Sequence, residues 1–449
     1  MIDGEHYPPV VRAALAALGD RYAFVVALFV GGGEKLRDGA SQDYGVPVRA
    51  ARSAAPGTPN EALGALLAAL LAETGAEVVV DLSDEPLLGY RERFALISVA
   101  LVGGARYEGA DFDFRPQAFT RLASKPALAV IGTGKRVGKT AVSGFAARRL
   151  ARVYGADGVL VVAMGRGGPP QPEVVRGAAG LSAAALLAAS HAGRHAASDC
   201  YEDAALAGVT TIGCRRCGGG MAGAAFDSNV GDALPLVEQS SAALAIFEGS
   251  GAVIPPVAAQ GTLCVSAANQ RLDYVTGYLG AYRLLLSDLL VLTMCEPPFA
   301  DRRRVAELRA DAQAVKPSLE VVETVFRPRP AEPVRGRRVA YFTTAAPEAL
   351  APLVGHLEQE CGAEVVVASG DLACRPALAA AVARAEVAAD VFLTEIKAAA
   401  IDVVAEAADR AGKALVFCDN EPVAVDGSEL GARIVALAAR CVERFARGE

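Results

Sequence analysis

The residues with the clearest chemistry lie between 132 and 140, where the chain reads Gly-Thr-Gly-Lys-Arg-Val-Gly-Lys-Thr. An apolar run of strand length, Ala127 to Ile131, leads in, and a helical pattern, AVSGFAARRL, leads out. Strand, glycine loop and helix in that order make a phosphate site. Backbone N–H groups face the anion, the helix N-terminus adds positive potential, and glycines allow close approach. In that geometry Lys139 would reach the β and γ phosphates of ATP and Thr140 would ligate Mg²⁺. Gly132, Thr133, Gly134, Val137 and Gly138 form the loop around the phosphates, and Lys135 and Arg136 join Lys139 as catalytic candidates. Thr133 stands where the common spacing has glycine, so the loop from Gly132 to Gly138 is one residue longer.

A nucleotide site also needs a carboxylate at the end of a second strand, and AALAIFEGSGA supplies Glu248, a second candidate Mg²⁺ ligand with a catalytic role. The acceptor of a transferred phosphoryl group calls for further cations. Arg166 follows the strand Val159 to Met164 in a glycine loop, and Arg215 and Arg216 stand beside Gly218 and Gly219 in TTIGCRRCGGGMAG. Guanidinium forks and exposed backbone N–H groups suit a phosphate or carboxylate, and a surface or interdomain salt bridge is the alternative for each arginine. His195, in HAASDCYED, is a substrate-binding candidate at a helix start or part of an acidic first turn.

Cys214 and Cys217 form a CxxC pair without a second pair at zinc spacing; they read as buried thiols, with half of a metal site as the alternative. Charged groups also collect at other strand ends: Asp3 to Tyr7, Gly31 to Lys35, Asp81 to Glu85, Glu395 and Lys397 after Val391 to Thr394, and CDNEPV after Ala414 to Phe417. Each is read either as part of a ligand cleft or as a helix cap or ion pair.

The elements that must hold these groups follow a simple pattern. Apolar strand-length runs alternate with Ala- and Leu-rich helical stretches, the signature of parallel sheets covered by helices, so the fold class is α/β. Boundaries fall near Lys125, where a new strand series begins, and at the proline-dense Phe326 to Pro333, which reads as unfit for a helix or central strand. The expected organisation is an N-terminal Rossmann-like α/β domain over 1–124, a parallel-sheet P-loop NTPase domain over 125–330 and a C-terminal α/β domain over 331–449. A length of 449 residues with 53% apolar composition can bury two or three cores.

A net charge of −7 argues against nucleic acid as a partner and places anion binding in local clusters. Apolar stretches are broken by charges well short of a membrane span, and the N-terminus lacks a basic-then-apolar signal, so a soluble cytoplasmic protein is expected. Nine cysteines, odd in number, suit buried thiols in a reducing compartment.

DGEHYPPV, FVGGGEKL, DLSDEP, YEGADFDF, GTGKRVGKTAVS, VVAMGRGGP, HAASD, GCRRCGGGM, EGSGAVIPPV, TMCEPP, VFRPRP, LTEIKAAAIDV and CDNEPV together resemble the cyclic 2,3-diphosphoglycerate synthetases almost from end to end. The phosphate loop and the Glu248 strand end are similar to those of dethiobiotin synthetases. The resemblance implies an ATP- and Mg²⁺-dependent ligase that closes 2,3-diphosphoglycerate into its cyclic anhydride, releasing ADP and phosphate, and that makes 2,3-diphosphoglycerate from 2-phosphoglycerate. A homodimer stays open, as do two other functions: a metal-delivery or regulatory P-loop NTPase using the CxxC pair, and a ligase of another small acid.

Overall fold

The computed structural model describes residues 1–33, 43–50, 60–177, 181–194, 196 and 198–449; the expectations for Glu34, Lys35 and His195 lie outside the described residues. The chain divides into two compact units. One comprises Met1–Ala118 with Arg271–Leu286 and Ala310–Ser318; the other comprises Phe119–Gln270, Ser287–Arg309 and Leu319–Glu449. In the first unit Ile2 bridges Phe29 in parallel, and Met1 exchanges backbone hydrogen bonds with Val80 and Leu82. The segment 1–2 therefore runs between Ala27–Phe29 and Val78–Val80, whose outer neighbours are Val48–Ala50 and Arg106–Glu108.

The second unit is built on one 13-stranded sheet among the described residues. In chain order its main elements are β1 (Ala127–Gly132), α1 (Lys139–Tyr154), β2 (Val159–Gly165), α2 (Asp199–Ala207), β3 (Thr210–Cys217), β4 (Leu244–Glu248), β5 (Gly261–Ala267), β6 (Leu289–Thr293) and β7 (Glu320–Pro330). There follow β8 (Arg338–Phe342), β9 (Glu364–Ser369), β10 (Val391–Thr394), β11 (Ala414–Ala424) and α3 (Leu430–Ala446). The order across the sheet is β3-β2-β4-β1-β5-β6-β7-β11-β10-β8-β9, with two short antiparallel strands on the β3 edge.

Burial on both faces explains the unbroken apolar runs of the central strands. Strand alternation sends Leu244 and Ile246 to one core and Ala245 and Phe247 to the other. The first core is covered by α1 through Val142, Phe145, Ala146 and Leu150, and by α3 through Leu430, Ile434, Leu437, Ala438 and Cys441; both sets have helical spacing. Among the described residues no helix is long and apolar enough to cross a membrane.

Strands β1 to β6 run parallel, and β7 joins them through Glu320–Glu323. Strands β8 to β11 form a second parallel block, but residues 324–330 of β7 pair antiparallel with 424–418 of β11. That reversal points the carboxyl ends of the two blocks toward each other.

The join corrects one expectation, because the proline-dense segment is a strand. Ala331 donates its N–H to Phe417, and alternation gives the ladder bonds to the odd-numbered residues. Pro328 and Pro330 therefore turn their missing N–H groups away from β11, on the flank where 324–330 has no second strand among the described residues.

Arg148 of α1 is ion-paired with Asp419 of β11, and both side chains are almost fully buried. Asp419→Ala leaves the guanidinium only the longer contact to Glu421 at 3.7 Å and is expected to cost about 3 kcal/mol. Arg148→Met with Asp419→Leu should recover most of that loss, as read by chemical denaturation.

Candidate active site

The phosphate loop is shaped by its neighbours. Gly138 precedes α1 at φ 90°, and a Cβ there would meet the Phe326 ring at 2.3 Å, so both backbone and packing require glycine. Lys139 folds back over Gly132, where a Cβ would lie 2.8 Å from its Cδ, and its ammonium donates to the Gly134 carbonyl at 3.1 Å. Thr133 is buried and anchors the loop from behind, donating to Gln270 and bonding Ser266 at 3.0 Å. Val137 is also buried, and its carbonyl accepts from Thr293 at 2.8 Å. Lys135 and Arg136 are exposed on the loop, with Arg136 in the left-handed region at φ 62°.

Glu248, the last residue of β4, lies beside this loop and is hydrogen-bonded by the Thr140 hydroxyl. It is 3% exposed, and its Oε2 has no hydrogen-bond partner. Burial, reinforced by Asp199, pushes its carboxyl up to about 7, while Lys139 and Thr140 pull the other way. On α2, Asp203 adjoins it with both oxygens unpartnered, and burial together with Glu248 holds that carboxyl well above the usual range. Burial also lowers Lys139, against the pull of Glu248 and Asp199. An orphaned buried carboxylate oxygen beside a hydroxyl is a donor set suited to a hard cation, so Thr140 and Glu248 fit Mg²⁺.

These groups line a cleft of about 810 Å³ between the two carboxyl edges of the second unit. Lys135, Arg136, Lys139, Thr140, Arg166, Asp199 and Glu248 come from the first block, and Thr344, Gly370, Glu395, Lys397 and Asn420 from the second. Met294, Pro297, Phe299, Phe326 and Leu353 form an apolar stretch of the same wall. Glu395 accepts from Thr343, from the Thr344 hydroxyl at 2.8 Å and from Asn420 at 2.7 Å, which ties the loops after β8 and β10 to strand β11. Lys397 pairs with Glu202 at 3.1 Å. Burial opposes the Lys397 charge, but Glu202 and Glu395 outweigh it, and burial raises Glu202 to about 8.

The arginine expectation divides. Arg216 donates to the carbonyls of Gly218 at 2.9 Å and Ser250 at 2.8 Å, and both it and Arg166 converge on Gly251. A Cβ at Gly251 would lie 2.7 Å from Arg166 and 3.2 Å from Arg216. Burial and Arg166 together lower the Arg216 guanidinium, whose Nε has no partner. Arg215 does not share the position. The pair sits on β3 rather than in a loop, neighbours on a strand face opposite ways, and Arg215 is exposed away from the cleft. Gly218 and Gly219 lie in an exposed turn that supports Arg216 without lining the cleft.

The cysteine expectation also needs correction, since Cys217 and Cys374 are exposed and Cys361 is half-buried. Sequence reasoning passed over Asp199 as a ligand candidate and left Lys397 open. The helix cap at Ser198 and the strand end at Thr394 were the available signals.

Three domain families match in sequence: the cyclic 2,3-diphosphoglycerate synthetase N-terminal domain over residues 1–115, its P-loop domain over 127–325 and its C-terminal domain over 330–421. The chain belongs to the cyclic 2,3-diphosphoglycerate synthetase family. A protein of that name from Rubrobacter xylanophilus is 50% identical over 437 residues, covering 96% of this chain and 95% of the relative. Synthetases from Methanothermobacter thermautotrophicus and Methanothermus fervidus are 42% and 39% identical, each covering at least 95% of this chain and 93% of the relative. In this synthetase family the phosphate loop and Glu248 fall within the P-loop domain, and Glu395, Lys397 and Asn420 within the C-terminal domain. A P-loop domain of this kind supports nucleotide binding and an enzyme of the ligase type.

Glu248 generates a pH prediction. A carboxyl raised on folding makes the native state hold more protons than the unfolded chain, so stability falls as pH rises from the ordinary carboxylate range through about 7. Metal-free protein should therefore lose stability between about pH 5 and 8, and Glu248→Gln should make that slope shallower. Thermal unfolding in chelator across this range measures both, and an unchanged slope would overturn the electrostatic account of Glu248.

Proposed function

We propose that the chain closes 2,3-diphosphoglycerate into its cyclic anhydride using ATP and Mg²⁺, releasing ADP and phosphate, and that it also phosphorylates 2-phosphoglycerate. The observation that carries this reading is the cleft lined by Lys139, Thr140, the orphaned Glu248, Arg166 and a second, C-terminal edge; Arg216 is outside that lining and converges with Arg166 on Gly251. The names of the relatives support the product.

Two phosphates do not condense unaided in water. One phosphate of the acceptor first attacks the γ-phosphorus of ATP, and the bond to ADP breaks. An oxygen of the neighbouring phosphate then attacks the activated phosphorus and expels the added group as inorganic phosphate, which leaves the P–O–P ring. Both steps redistribute charge over phosphoryl oxygens and require alignment rather than a protein nucleophile.

In the proposed reaction Lys139 and Arg136 neutralise ATP, while Arg166 and Arg216 hold the acceptor anion. Bound at Thr140 and Glu248, Mg²⁺ would supply charge neutralisation at the nucleotide phosphates. The metal-delivery alternative loses its support, because Cys214 and Cys217 stand three apart on one strand, the first buried and the second exposed. Side chains three apart on a strand face opposite sides and do not chelate one ion.

Phosphorus NMR of protein, ATP, Mg²⁺ and 2,3-diphosphoglycerate tests the reading. It is expected to show ring product and inorganic phosphate in equal amounts, and idle ATP hydrolysis without ring product would sink it. With 2-phosphoglycerate the expected product is acyclic 2,3-diphosphoglycerate. Lys139→Ala should abolish both products in a chain that still folds, with its unfolding transition shifted because the buried Glu248 loses a compensating cation.

A further inference from the structure

The C-terminal block has its own ligand-binding topology. Its strands lie in the order β9-β8-β10-β11, so the order reverses between β8 and β10. In open parallel sheets the crevice beyond the carboxyl ends at such a reversal receives ligands. The loops that meet there are Thr343–Ala346 after β8 and Glu395–Lys397 after β10. Glu395 is already engaged by Thr343, Thr344 and Asn420 and serves to brace the crevice.

Lys397 differs from it. Among the described residues it is the cation that the C-terminal block contributes to the cleft wall; Lys135, Arg136, Lys139 and Arg166 all belong to the opposite edge. An ammonium offers three donors, and this one commits to Glu202 at 3.1 Å while its side chain stays 28% exposed toward the cleft. The backbone beside it is unusual in two ways: Ala398, not a glycine, sits at φ 49°, and Ala400–Ala405 forms a π-helical turn. Both features incur conformational cost and concentrate at functional sites.

The charge of the ligands sets the need. A nucleotide triphosphate and an acceptor with two phosphates and a carboxylate bring more negative charge than the phosphate-loop cations with Arg166 and Arg216 can match, so a cation from the opposite edge has a role. We infer that Lys397 is the C-terminal block's ligand for the anionic acceptor, a small acid bearing phosphate and carboxylate groups, and that Glu202 is the positioning residue that holds its ammonium at the crevice. This deepens the reading of the cleft given above and rests on it.

A purely structural strap between α2 and the C-terminal block is the competing role, and a pair of variants separates the two. Lys397→Met should raise the KM for 2,3-diphosphoglycerate about tenfold to a hundredfold while the affinity for a non-hydrolysable ATP analogue changes less than about twofold. Lys397→Arg should retain part of the acceptor affinity. Removing both partners of a buried ion pair is close to neutral for folding, so Lys397→Met with Glu202→Gln should regain thermal stability yet keep the raised KM. A double variant with normal KM, or a single variant with unchanged KM, overturns the inference and leaves a strap. Calorimetric titration of 2,3-diphosphoglycerate into wild type and Lys397→Met without nucleotide keeps this independent of turnover. If wild type binds the acid but forms no ring, the proposed reaction fails, while a lost heat of binding in the variant still supports Lys397 as the ligand; equal heats overturn it.

Discussion

The antiparallel pairing of β7 with β11 is the constraint on which the site depends. A parallel sheet presents helix starts and loop donors at one edge only. Had β7 met the second block in parallel, the carboxyl edge bearing Glu395 and Lys397 would point the same way as the edge bearing Lys139 and Glu248. The reversal over 324–330 makes the two edges face each other across one cleft. The same strand supplies Phe326, whose ring presses on Gly138 and fixes the phosphate loop from the C-terminal side.

A buried acidic core sits beneath that cleft. Glu248, Asp203 and Glu202 are each nearly inaccessible, and desolvation, with the nearby charge of Asp199, raises all three carboxyls. Such a cluster is costly unless cations meet it. Lys139 reaches it from the phosphate loop and Lys397 from the C-terminal block, so α2, which carries Glu202 and Asp203, is gripped electrostatically from both edges. Arg148 and Asp419 repeat the theme one layer deeper, joining α1 to β11.

What could be read in the sequence follows the range of the interactions. The strand, loop and helix at 127–154 and the strand end at Glu248 are local patterns, and the α/β class follows from alternation along the chain. The strand nature of 326–330 was hidden, because proline reads as a breaker until one knows which flank lacks a neighbour. Arg215 and Arg216 looked equivalent because type and spacing do not reveal that the second guanidinium, and not the first, finds Ser250 and Gly251. Glu202 and Asp203 looked like an ordinary acidic first turn, since their burial is a property of what packs on α2 rather than of α2 itself.

Net charge gave an incomplete view for the same reason. At −7 the chain looks unsuited to a polyanion, yet sign matters where field lines converge, not in the sum. Surface acids such as Glu296 and Glu421 are matched by Arg327 and Arg329, which removes those arginines from competition for ligand. Arg166 and Arg216 instead stand beside each other, and like charges held together without a carboxylate repel until an anion arrives. On the reading proposed for the cleft, a phosphate bound there would relieve that repulsion and accept the remaining guanidinium hydrogen bonds in one event. On that reading part of the grip on an anion is built into the fold before any ligand is present, which is the sense in which an acidic protein can be organised around anions.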